Sequence, residues 1–115
     1  MTTPKTKTCV WCDKTIGSDE TVTKGLCSAC RSYKYKLKHE FGMTLEDFDI
    51  MAEEQNHKCA LCRGVNVNNR RLIVDHDHDT GEVRGLLCYS CNYRLSLAER
   101  YPSFFIKCLK YLKKI

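Results

Sequence analysis

The chain has 115 residues, nine of them cysteine, and 19 Lys and Arg against 14 Asp and Glu give it a formal net charge of +5. A single domain of this length buries only about two-thirds of its unfolded surface, so crosslinks must supply part of its stability. No 18 apolar residues run together and residues 1–8 lack the apolar stretch of a signal peptide, which speaks against a membrane protein and for a reducing cytoplasm, where paired cysteines hold zinc more often than they form disulfides.

In chain order, the first feature is a pair of Cys-x-x-Cys steps, Cys9/Cys12 and Cys27/Cys30, with 14 residues between them. That is the spacing of a zinc ribbon or knuckle. Tyr33, Leu37 and Phe41 then recur at helical intervals with Arg31, Lys34 and Lys38 on another face, and Gly42 supplies a stop. The pattern predicts a basic amphipathic helix and sets a first, zinc-binding unit at residues 1–42. Clustered cations suit a polyanion, so Arg31, Lys34 and Lys38 are candidate nucleic-acid contacts; ordinary solvated helix faces would look the same.

A second unit, 43–115, begins with Thr44 and Asp47 as an N-terminal cap for a helix whose Leu45, Phe48 and Ala52 share one side and which ends near His57. Its other face is acidic, with Glu46, Asp47, Asp49, Glu53 and Glu54. Two more steps follow, Cys59/Cys62 and Cys88/Cys91, separated by 25 residues. That interval is long enough for a hairpin to leave a metal site and return to it. Residues 72–74 and 83–87 are rich in branched side chains, and Asp77 to Gly81 has loop composition. Asn92 to Ala98 reads as a helix. Pro102 opens another, with Phe105, Leu109 and Leu112 inward, Cys108 a small buried hydrophobe between them, and Lys107, Lys110 and Lys114 on the outer face as further candidate contacts to nucleic acid.

Each set of four cysteines can close a tetrahedral zinc shell and leave no open position, which defines two structural sites. Disulfides fit poorly with the absence of a secretory stretch, and a redox dithiol would need a βαβ context that the sequence lacks.

Between the cysteine steps of the second unit stands Val74-Asp75-His76-Asp77-His78-Asp79-Thr80-Gly81, then Val83-Arg84-Gly85-Leu86-Leu87-Cys88 and Cys91-Asn92. From about Phe41 to about Leu97 the chain resembles the bacteriophage recombination endonuclease VII family. The resemblance implies a small zinc-stabilised α+β fold, a ββα-metal (HNH, His-Me finger) nuclease core with flanking helices, to which the spacing of the first four cysteines adds an N-terminal zinc ribbon or knuckle. It implies a DNA endonuclease in which Asp75 and Asn92 hold magnesium or manganese, His76 is the general base and His78 positions the phosphate, leaving a 5′-phosphate and a 3′-hydroxyl. DNA is the implied partner, no membrane is involved, and a phage-encoded enzyme would work in the host cytoplasm.

The chemistry agrees with the residue types. Successive strand residues point to opposite sides, so Asp75 can face a metal while His76 faces a water. Oxygen donors suit a hard cation and thiolates suit zinc, and imidazoles exchange protons near neutral pH. Other readings stay open at this level. Asn92 can be a helix cap, Arg84 can contact phosphate or pair with Asp77 or Asp79, and the whole chain can be a non-catalytic zinc module that binds nucleic acid or serves as an adaptor. Two positions depart from the best-known member of the family, since Ile73 and Leu95 stand where it carries a histidine and a glutamate. Only 23 residues follow Asn92, short for the helical region through which a well-known member forms an intertwined dimer, so a homodimer and branched-DNA specificity are less strongly implied than cleavage.

Overall fold

The computed structural model describes residues 7–12, 15–16 and 25–115; of the stretch 1–8 read as lacking a signal peptide, residues 1–6 lie outside them. The chain forms two compact units, Met1–Asp49 and Ile50–Ile115.

In the first unit, β1 (Lys7–Thr8) pairs antiparallel with β2 (Thr15–Ile16), Lys7 opposite Ile16. Helix α1 (Ser28–Lys36) starts on Cys27, whose Sγ accepts the Cys30 N–H at the N-cap. It widens into a π-helical turn, Leu37–Phe41, and Gly42 at φ 65° ends it, a left-handed conformation that glycine adopts without a Cβ clash. The core is small: Cys9, Leu26, Cys27 and Cys30 are buried, with Trp11 and Leu45 packed on them. Trp11 stacks on Tyr33 and meets Phe48 edge-on, and its indole N–H donates to Asp49 at 2.9 Å. The expected cap of α2 (Leu45–Glu54) is present: the Thr44 N–H donates to Asp47 at 2.9 Å and the Asp47 N–H to Thr44 Oγ1 at 3.0 Å. The division between the units falls inside this helix.

In the second unit, α2 ends where Asn56 and His57 turn left-handed. The predicted hairpin forms from β3 (Ile73–His76) and β4 (Val83–Leu87), antiparallel, with Ile73 opposite Leu87 and Val74 opposite Leu86. Val74, Leu86 and Leu87 are buried, together with Ala52, Cys59, Leu72, Cys88 and Cys91. Helix α3 (Tyr89–Arg100) starts three residues before the position expected from sequence, because Cys88 caps it: the Cys88 Sγ accepts the Cys91 N–H. The capping role considered for Asn92 therefore belongs to Cys88. In chain order β3, β4 and α3 make a ββα unit, with Cys88 directly between β4 and α3.

Helix α4 (Pro102–Tyr111) forms where expected, with Pro102 in its first turn. Its expected inward face is not covered. No residue of α4 is buried, and Phe105, Leu109 and Leu112 are 37%, 40% and 59% exposed. Cys108 is half-buried, not enclosed as expected. The periodicity of α4 was sufficient to predict a helix but carried no information about what would cover it.

Candidate metal centres and active site

The eight predicted cysteine ligands assemble as two groups of four, Cys9, Cys12, Cys27 and Cys30, and Cys59, Cys62, Cys88 and Cys91, each with its sulfurs within 4.8 Å of one another. A tetrahedral zinc with bonds of about 2.3 Å sets its sulfurs about 3.8 Å apart. Cys12 and Cys27 lie 3.8 Å apart, as do Cys62 and Cys88, so the thiols fit the ion.

Both groups follow one plan. The first pair sits in a tight turn and the second at a helix N-terminus, where backbone N–H groups and the helix dipole favour thiolate. In the second group the turn is a knuckle: Leu61 N–H donates to Cys59 Sγ at 3.4 Å and Gly64 N–H to Cys62 Sγ at 3.3 Å. Burial pushes the Cys59 thiol up, but backbone N–H groups of Cys62, Cys88 and Leu61 outweigh it and bring it down to about 6. Cys9 behaves the same way, with burial opposed by the N–H groups of Cys12, Cys27 and Trp11, and also falls to about 6. Burial and the neighbouring thiols push Cys91 up to about 12 and Cys30 upward as well. Four sulfurs crowded together hold one negative charge readily and resist more, until a cation neutralises them.

Between the second group's pairs, the hairpin carries the acidic and imidazole residues. The register slips at Asp75/His76: Asp75 is opposite Gly85 and His76 opposite Val83, so Arg84 is the extra residue of a β-bulge. Asp75 is buried, and Arg84 grips its carboxylate with both arms of the fork, Nε to Oδ2 at 2.9 Å and Nη2 to Oδ1 at 3.0 Å. Arg84 also pairs with Glu99 of α3, and its Nη2 donates to the His76 carbonyl at 3.3 Å. The two carboxylates raise the affinity of the guanidinium for its proton still further. The ion pairs of Arg84 are thus with Asp75 and Glu99 and not with Asp77 or Asp79, one of the alternatives left open by the sequence; the bulge turns its side chain back over β3. Asp75, Arg84, Leu87 and Leu95 line a recess of about 280 Å³ together with Ala60 and Leu61.

The rings of His76 and His78 meet edge to face, centroids 4.6 Å apart. Asn92 is half-buried in the first turn of α3, with its backbone N–H on the Cys88 carbonyl at 2.9 Å. Asp77 organises the hairpin loop: its Oδ1 accepts the N–H groups of Asp79 at 2.8 Å and Thr80 at 3.2 Å, which lower its pKa below the usual carboxylate value. Of the basic candidates, Lys34 and Lys38 on the α1 segment and Lys107, Lys110 and Lys114 at the C-terminal end are exposed, and Arg31 is half-buried.

Two positioning side chains escaped the sequence reading. Gln55 clamps both backbone groups of Leu86, and buried Asn66 accepts the Tyr89 N–H at the start of α3 at 2.9 Å while donating to the Arg71 carbonyl. Neither lies in a motif. Gln55 lies inside the helix predicted to end near His57, and nothing in its spacing marks it out; α2 in fact ends at Glu54, one residue before it.

Two groups of four cysteines that could each hold zinc, the second flanking in sequence a β-hairpin that leads into a helix, define a small α+β protein of ββα build. The chain belongs to the recombination endonuclease VII family, whose family model matches residues 34–114. It is 39% identical over 82 residues to the Gene 59 protein of Mycobacterium phage L5, covering 70% of this chain and 50% of that one. Identity to the Gene 59 protein of Mycobacterium phage D29 is 38% over 84 residues, 72% of this chain and 51% of the relative. The chain thus spans about half the length of the curated relatives it matches. Among solved structures, the beta-beta-alpha-Me type II restriction endonuclease Hpy99I aligns with a TM-score of 0.40 at 25% identity, over 92% of this chain and 64% of that chain.

Proposed function

We propose that the chain is a divalent-metal-dependent DNA endonuclease of HNH type that hydrolyses phosphodiester bonds, with residues 43–115 carrying the chemistry and residues 1–42 helping to grip DNA. The observation that carries this reading is the hairpin itself: Asp75 and His76 are consecutive at a bulge, with the thiolate cluster that anchors the hairpin also capping the helix that bears Asn92. Membership of an endonuclease family supports it.

In this reading the oxygens of Asp75 and Asn92 hold magnesium or manganese, hard donors for a hard cation. When bound, that cation supplies charge neutralisation at the phosphate and the departing oxygen. His76 removes a proton from a water; the water oxygen bonds to phosphorus as the bond to the 3′-oxygen breaks, leaving a 5′-phosphate and, after protonation from solvent, a 3′-hydroxyl. His78, edge-on to His76, steadies its ring and contacts the phosphate. Arg31, Lys34, Lys38, Lys107, Lys110 and Lys114 bind backbone phosphates away from the cut. Relatives in phages favour work in the cytoplasm of an infected cell. Among the described residues no helix is long and apolar enough to cross a membrane.

His76→Ala tests the reading. The variant keeps its fold and DNA binding and loses plasmid nicking in magnesium or manganese; full activity in it ends the proposal. Tight DNA binding by wild type without any divalent-dependent nicking favours the non-catalytic zinc module.

A further inference from the structure

Arg84 and Glu99 have no part in the chemistry above, yet both are tied to its central carboxylate. As the extra residue of the bulge, Arg84 lacks a cross-strand partner in the register, and its side chain spans Asp75 and the backbone of His76. A carboxylate offers about four lone-pair sites, and a two-pronged guanidinium takes one on each oxygen. That leaves one site on each oxygen, and it sets the plane of the carboxylate. Glu99, two helical turns beyond Asn92 on α3, pairs with the same Nη2 that donates to Asp75 Oδ1. The Asp75 side chain is only 11% exposed, so its orientation is decided by these contacts and not by water.

We propose that Arg84 is a positioning residue that orients the Asp75 carboxylate toward a divalent cation, and that Glu99 holds Arg84 in this role. The proposal rests on the reading of Asp75 as a metal ligand. The triad of Asp75, Arg84 and Glu99 carries one net negative charge, so Glu99 also keeps the neighbourhood attractive to a cation despite the guanidinium. Lysine at position 84 would keep the charge and lose the fork, because an ammonium is a point charge without a planar pair of donors.

The test is manganese binding to zinc-loaded protein, read by the electron paramagnetic resonance signal of free Mn²⁺, with amide spectra and zinc content as fold controls. Arg84→Lys weakens Mn²⁺ binding by about tenfold or more, the range for residues that orient metal ligands, and Glu99→Gln weakens it in the same direction. Unchanged affinity in a folded Arg84→Lys protein overturns the proposal, since a purely electrostatic or structural role predicts that result. If Arg84→Lys fails to fold, Glu99→Gln decides alone: its side chain is 35% exposed and the substitution conserves volume, so unchanged affinity there is equally fatal. Asp75→Asn separates the two levels. Loss of Mn²⁺ binding in that variant sustains Asp75 as a ligand whatever Arg84 does, and retention removes both readings.

Discussion

Gln55 satisfies both backbone groups of Leu86: its Oε1 accepts the Leu86 N–H at 2.9 Å and its Nε2 donates to the Leu86 carbonyl at 2.9 Å. A side chain from the turn after α2 thereby imitates a neighbouring strand on the outer edge of β4. The same Nε2 reaches the Lys58 carbonyl at 2.8 Å, just before the knuckle.

Replacing Gln55 by leucine leaves the Leu86 N–H without its acceptor in a part-buried setting. Such a loss costs about 1–3 kcal/mol. Chemical denaturation should show that destabilisation with zinc content unchanged, and amide exchange at Leu86 should accelerate selectively.

The hairpin loop should respond to acid through Asp77. Its folded pKa is below the usual carboxylate value, because the N–H groups of Asp79 and Thr80 favour the charged form. Its contribution is therefore complete above the unfolded carboxylate range near 4 and is lost as pH falls through the lower folded value. Amide shifts of Asp79 and Thr80 should titrate together, with a midpoint below the ordinary carboxylate range, and the transition should vanish in Asp77→Ala.

Two zinc ions per chain are expected by elemental analysis. Cys59→Ser should remove one and broaden the signals of β3 and β4, since the hairpin leaves and returns through that cluster. Cys27→Ser should also remove one but leave hairpin signals sharp. Cobalt substitution should give the intense visible bands of tetrahedral thiolate at both sites.

DNA affinity should fall with salt in proportion to the phosphates neutralised, each contributing about 0.9 to the logarithmic slope on duplex DNA. Changing Lys107, Lys110 and Lys114 to Gln should lower the slope by about 2–3 if all three make contact. Cleavage of DNA already bound at low salt should be unaffected. An unaltered slope would remove these lysines from the interface.

Much of the second unit was legible from residue order because its signals are local. Cysteine spacing marks metal ligands, Thr44 and Asp47 cap their own helix, and alternating branched residues around Asp77 to Gly81 make a hairpin; each depends on neighbours within a few positions. The candidate site was legible only as a set of residue types. The pairing of Arg84 with Asp75 was not among the alternatives left open for it, because sequence cannot show a bulge, and one slipped residue reverses the direction of a side chain. Glu99 escaped notice because it carries no motif and acts across 15 residues on another element.

By itself, then, the order of residues determined the family, the two sets of thiol ligands and the succession hairpin then helix. Only the tertiary structure decided that Asp75 is gripped by Arg84 and Glu99, that Gln55 closes the edge of β4, and that the apolar residues of α4 are exposed. The reason is physical. Spacing and capping are set by bond geometry along the chain, whereas charge pairing and burial depend on distances between elements that only packing establishes.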